Sequence, residues 1–210
     1  MEHIKKQSYK NYEVILLPDN KEIINDPKVK VIHTGTIGPA AKRDAGAAKA
    51  QGEVLAFIDD DAYPDRNWLK NMVKNFTDGH IAAVGGPGVT PPGVSWREQS
   101  SGWFSASILG GGPYAYRFLP YKKRFVDDYP TMNLAIRKAD FYAAGRFDSN
   151  YWPGEDTKLC FDLVYKLGKK IIYDPKVLVY NHRRKLWGPH FNQNGYYGLH
   201  RGYFARVLTK

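Results

Sequence analysis

Apolar residues in this chain gather in short runs rather than long stripes. VILLP (14–18), VKVIH (29–33), VLAFID (54–59) and IAAVGG (81–86) are brief, apolar and rich in β-branched residues, which predicts four buried strands. Between the second and third lies PAAKRDAGAAKAQG (39–52). It starts with Pro39, is full of alanine and ends at Gly52, the punctuation of a helix. DRNWLKNMVKNF (65–76) places Trp68, Leu69, Met72, Val73 and Phe76 on one helical face. Strands alternating with helices in this order predict an α/β domain with a mainly parallel sheet.

The texture changes from Gly85 to Pro130, where GGPGVTPPG and LGGGPYAY read as loops flanking a segment with Trp96, Trp103 and Phe104. Regular patterning returns with MNLAIRKADFYAAG (132–145). DTKLCFDLVYKLG (156–168) reads as a helix stopped by Gly168, and KIIYDPKVLVYNH (170–182) as two short strands around an Asp-Pro turn. No internal repeat and no low-complexity tract interrupts this order.

A chain of 210 residues, 43% hydrophobic and 14% aromatic, holds one sizeable domain or two small ones around a real core. No apolar run approaches 18 residues, and MEHIKKQSYKNYEV lacks the apolar centre of a signal peptide. Cys160 is the single cysteine, which excludes an internal disulfide and fits a reducing compartment; its helical setting predicts a core residue. The net charge of +10 favours anionic partners: nucleotide phosphates, nucleic acid or an anionic membrane surface. None of the short nucleic-acid signatures is present, so nucleic acid is not the expected partner.

One stretch is costly as it stands. VLAFIDDDAYP runs from a buried strand into Asp59, Asp60 and Asp61. In extended chain, Asp59 and Asp61 share a side, and two carboxylates there repel by roughly 2–3 kcal/mol. A hard divalent cation between them reverses that sign; a solvated acidic turn is the plainer alternative. Parallel sheets bind ligands outside the carboxyl ends of their strands, where both this cluster and Asp19 fall.

Three segments, in order, resemble the nucleotide-sugar-dependent family 2 glycosyltransferases of GT-A fold. They are AKRDAGAAKAQGEVLAFIDDDAYPDRNWL, with an acidic metal motif; MNLAIRKADFYAAGRFD; and YWPGEDTKLCFDLVYKLGKKIIYDPKVLVYNHRR. The resemblance implies a three-layer α/β/α domain, with residues 1–86 binding the donor, 87–182 the acceptor and catalytic half, and 183–210 a basic C-terminal segment. Relatives usually begin with a strand and helix ahead of QSYKNYEV and often continue beyond the equivalent of Lys210, so this chain reads as a fragment of the family pattern. Asp44 also departs from the asparagine common there, with only a local hydrogen bond expected to change.

Carried over residue by residue, the resemblance implies Mn²⁺ or Mg²⁺ held by Asp61, with Asp59 near the ribose or a metal-bound water, Asp60 supporting and His182 a further ligand. Asp19 faces the nucleobase, while Lys42, Arg43 and Arg183 suit ribose or phosphate. Asp156 is the catalytic base of an inverting displacement and Glu155 positions the acceptor, although acids there also suit a helix N-terminus. Tyr151, Trp152 and Asn133 fall on the acceptor side. The implied partners are a nucleotide-sugar donor, a glycan or lipid-linked acceptor, and an anionic membrane met from its cytoplasmic face by the basic tail. A non-catalytic nucleotide-binding module of the same fold is the alternative.

Overall fold

The computed structural model describes residues 1–147, 153–183 and 195. The chain opens with a short helix α1 (Glu2–Lys5), then β1 (Val14–Leu16), β2 (Val29–Val31), α2 (Pro39–Lys49) and β3 (Val54–Ile58). Next come β4 (Ala62–Pro64), α3 (Trp68–Val73), β5 (Ile81–Gly85), β6 (Gly88–Val89) and α4 (Trp96–Ala106). A 3₁₀ turn (Gly112–Arg117) leads to β7 (Arg124–Val126), β8 (Asn133–Arg137) and α5 (Lys138–Ala143). Helix α6 (Glu155–Phe161) continues into a π-helical turn (Asp162–Lys166), followed by β9 (Lys170–Tyr173) and β10 (Val179–Asn181).

The central sheet has the order β3-β8-β5-β9-β7. Strands β3, β5 and β9 share one direction, but β8 lies antiparallel between β3 and β5, and β7 lies antiparallel beside β9. The sheet, expected to be mainly parallel, is therefore mixed, with two antiparallel ladders between β3 and β5. β1 and β2 pair in parallel as a separate two-stranded sheet. α2 spans both units: its Gly46 lies against Leu17 and Ile15, while Ala47 joins the core that holds Leu55. β9 and β10 do not pair with each other; β10 enters a third sheet with β4 and β6.

Alternation along the central strands sends side chains into two cores, one on each face. Leu134, Ile136, Ile171 and Tyr173 pack with Phe141, Leu159, Cys160 and Leu163 from α5, α6 and the π-helical turn. Ala135, Val84 and Ile172 pack on the other face against Trp68, Leu69 and Met72 of α3. The expected three layers follow from that alternation. Helix α3 is shorter than its apolar pattern predicts, and Val73, at its last position, is 37% exposed. Cys160 is fully buried, and burial pushes its thiol well above the usual range, as a core residue requires.

The seam between the central sheet and the β4-β10-β6 sheet depends on Asn133, the first residue of β8. Its Nδ2 donates to the carbonyls of Gly86 (2.6 Å) and Val177 (2.7 Å), and its Oδ1 accepts from the Trp68 indole (2.8 Å). The approach is close enough that a Cβ at Gly86 would lie 1.8 Å from the Val177 oxygen, which only glycine avoids. The side chain is fully buried with these partners around it, so Asn133 does not face an acceptor; the sequence-based placement there is corrected. Replacing Asn133 with Leu orphans a buried indole N–H and two carbonyls. Chemical denaturation is expected to show a loss of about 2–4 kcal/mol, and a loss below about 1 kcal/mol would refute the clamp.

Candidate functional site

The end of β3 and the start of β8 are register partners, Ile58 opposite Asn133, so the three aspartates leave the sheet beside the Asn133 seam. Asp59, Asp60 and Asp61 form the connection from β3 to β4, and β4 is held antiparallel on β10 with Ala62 opposite Asn181. The Asp61 carbonyl accepts from the His182 backbone N–H at 3.1 Å, and its carboxylate lies 3.4 Å from Asn181 Nδ2. Partial desolvation, then the charges of Asp59 and Asp60, raise the Asp61 carboxyl above its ordinary value. The like-charge cost read from the sequence is present in the fold.

Arg43 offsets part of it. From α2 its guanidinium donates to Asp59 (3.1 Å) and to Glu155 (2.8 Å), and Glu155 is buried. One side chain thereby joins the acidic turn to the start of α6, more than ninety residues further on. Gly154, at the N-cap of α6, has φ of +138°, so a glycine there sets the entry angle of the helix that carries Glu155 and Asp156.

Asp156 lies beside Glu155 with Oδ1 accepting from the Thr157 N–H (2.8 Å) and Oδ2 from the Thr131 N–H (3.3 Å). Burial, then the charges of Asp128 and Glu155, raise its carboxyl to about 6. Asp128 was not foreseen. It accepts from the Thr157 hydroxyl (3.1 Å) and from the guanidinium of buried Arg117 (2.8 Å). The Asp-Asp pair in RFVDDYPTMN was the available signal.

The opposite wall comes from the end of β10. His182 Nδ1 lies 2.8 Å from Glu98 Oε1, which also accepts from the Arg183 backbone N–H at 3.1 Å. Glu98, in α4, is a second residue missed in the sequence. Its hydrogen bond at Nδ1 leaves the Nε2 edge of His182 for a ligand, the usual way a partner orients an imidazole. Arg183 is partly buried, donates to the Gly88 carbonyl, stacks on Phe118 at 4.8 Å and is lowered to about 10 by desolvation. Its Nε and the Tyr129 hydroxyl are buried without a hydrogen-bond partner.

Asp19 and Lys42 pair with each other. Asp60 is exposed. Asp44 accepts from the Phe147 N–H at 3.2 Å, a contact between residues 103 apart in the chain. Tyr151, Trp152 and residues 184–194 and 196–210 lie outside the described residues. Among the described residues no three His, Cys, Asp or Glu side chains converge on one point. The mutually repelling Asp59 and exposed Asp61 carboxylates still fit a hard divalent ion, which is commonly bound by one or two carboxylates plus substrate.

Residues 1–141 match the model of Glycosyl transferase family 2. A pre-mycofactocin glycosyltransferase of Mycobacterium tuberculosis is 31% identical over 159 residues, 73% of this chain and 32% of that protein. The chain thus spans about a third of that relative's length. A glucosyl-dolichyl phosphate glucuronosyltransferase of Haloferax volcanii is 22% identical over 99% of this chain and 71% of its own. Among solved structures, mannosyltransferase PcManGT of Pyrobaculum calidifontis, in complex with GDP-Man and Mn²⁺, matches with a TM-score of 0.68 at 18% identity. It covers 100% of this chain and 59% of its own. GalNAc-T7 with UDP, GalNAc and Mn²⁺ matches at 0.64 and 19%, covering 89% and 40%.

The Asp156 carboxyl is raised in the fold, so its contribution to stability is full below its unfolded value near 3.8 and is lost as pH rises through about 6. Asp156→Asn escapes that loss. The variant is expected to match the parent near pH 4 and exceed it by about 1–3 kcal/mol at pH 8 in denaturation curves. A constant difference across that range would contradict the raised carboxyl.

Proposed function

This chain belongs to glycosyl transferase family 2 and has the GT-A fold, and we propose that it moves a glycosyl group from a nucleotide-diphosphate sugar to an acceptor hydroxyl by single displacement with inversion. The observation that carries the reading is the Arg43 bridge, which puts Asp59 of the acidic turn and Glu155 of the α6 start in one site.

Asp156 takes the proton. Its carboxyl, raised to about 6, is basic enough to accept a hydroxyl proton yet ionised at neutral pH, the compromise a general base needs. Thr157 and Thr131 N–H groups orient the two oxygens. As the proton reaches Asp156, the hydroxyl oxygen bonds to the anomeric carbon and the bond from that carbon to the diphosphate breaks. Glu155, held by Arg43, positions the acceptor. Asp19 faces the nucleobase and Lys42 the ribose or phosphate. Arg183, with an unpartnered buried Nε, stands ready for an anionic oxygen. A divalent ion held directly by Asp61, with Asp59 reaching it through water and the His182 imidazole moving in only once donor is bound, would supply Lewis-acid stabilisation of the departing diphosphate. Mn²⁺ in both solved neighbours supports that assignment.

We place residues 1–86 on the donor side and 87–182 on the acceptor side, with a glycan or lipid-linked alcohol as acceptor; the dolichyl phosphate in a relative's name supports the latter class.

Turnover of a panel of nucleotide sugars is expected with Mn²⁺ or Mg²⁺ and to vanish on chelation. Asp156→Asn is expected to lower kcat by about 10²–10⁴-fold while nucleoside diphosphate binding persists. Rate should fall about tenfold per unit of pH below about 6 as Asp156 protonates. Metal-dependent nucleotide binding without turnover would instead favour a binding module, and unchanged turnover in the Asn variant would remove the base.

A further inference from the structure

Helix α4 is turned inside out for a helix in water. Its buried residues are Ser101 and Gly102, whereas Trp96 and Trp103 are 68% and 67% exposed. The two tryptophans are seven apart, hence on one face. Gly102 packs so tightly that a Cβ there would meet Thr90 Oγ1 at 2.0 Å, so the helix lies flat on its small side with its large rings outward.

The turn after α4 repeats the pattern. Ile108 and Leu109 are 88% and 90% exposed. The segment is nevertheless well ordered by its own bonds: Ser107 Oγ accepts from the Gly110 N–H (3.1 Å), the Gly111 N–H donates to the Ser107 carbonyl (2.8 Å), and the Gly112 N–H to Ile108 (3.0 Å). Gly110 and Gly111 lie against the carbonyls of Phe104 and Ser105, where a Cβ would sit at 2.1 and 2.2 Å. A hydrogen-bonded turn that holds two aliphatic side chains almost wholly in water is ordered for what it presents.

We propose that this face docks on an anionic lipid bilayer, with Ile108 and Leu109 entering the acyl boundary and Trp96 and Trp103 lying at headgroup level. Side chains this exposed project from the surface, which suits insertion rather than a flush protein contact. Indoles combine an apolar body with a polar N–H and favour the interface. Charge agrees: the chain carries +10, and Arg97, on α4 itself, is exposed over the Trp96 ring at 5.4 Å. No helix among the described residues is long and apolar enough to cross a membrane.

The face also borders the site. Glu98, on the same helix, holds His182 and the Arg183 backbone. A bilayer against α4 therefore brings lipid-anchored acceptors alongside the candidate metal and donor residues, a substrate class that rests on the proposed transfer reaction.

The test is co-flotation of the whole chain with phosphatidylcholine vesicles, with and without phosphatidylglycerol, in the absence of donor. Binding to the anionic vesicles is expected, and Ile108→Ser/Leu109→Ser and Trp103→Ser are each expected to weaken it about tenfold. Ile23→Ser, at an 89% exposed isoleucine outside this face, should change nothing. Circular dichroism and nucleoside diphosphate binding, unchanged in these variants, show that fold and site survive. Three outcomes overturn the proposal: no vesicle binding; binding by charge that all variants retain; or concentration-dependent self-association lost in the variants without vesicle binding. Because no step needs turnover, a failed transfer assay leaves this result standing.

Discussion

The Arg43 guanidinium is the point on which the site turns. It satisfies a buried carboxylate, Glu155, and a partly exposed one, Asp59, with one fixed fork. Without that cation, Asp59 and the buried Glu155 would be left as like charges with no shared partner, and repulsion at a buried group costs far more than in bulk water. Arginine suits the position because it stays charged under burial and offers several directed donors at once. The arrangement leaves Asp61 outside the Arg43 pairing, its carboxyl raised by desolvation and then by Asp59 and Asp60.

Around that bridge the fold builds rigidity from different means on each side. The Asn133 clamp joins β8, the Gly86 turn and Val177 by hydrogen bonds in a dry setting, where each is hard to lose without leaving an orphan. The α6 side relies on Gly154 and on Asp128, which accepts from both the Thr157 hydroxyl and Arg117. The β10 side uses Glu98 to hold His182 and the chain at Arg183. The catalytic candidates are thus positioned by three sets of residues from distant parts of the sequence, a pattern that keeps side chains in one geometry.

Several features were legible in the residues alone. Short β-branched runs marked β1, β2, β3 and β5, because their hydrophobic character is local and needs no partner to be seen. Proline at the start of α2 and the alanine-rich body set that helix for the same reason. The Asp59, Asp60 and Asp61 cluster stood out because three adjacent like charges at a strand end have a cost that can be stated from Coulomb's law. Lone Cys160 was assigned to the core from its helical neighbours, and it lies there. Asn133 was misplaced because an amide in a motif looks the same whether its partners are an acceptor or three buried groups.

What the sequence determined by itself was local: which segments form strands and helices, where charge concentrates, and which acids stand next to each other. Strand order, the antiparallel insertion of β8, the separate β1-β2 sheet and the partners of Arg43, Asp128 and Glu98 were decided by tertiary structure alone. The physical reason is distance along the chain. Propensity and hydrophobic period act over a few residues, while a hydrogen bond or ion pair between residues 43 and 155 depends on how every element between them packs.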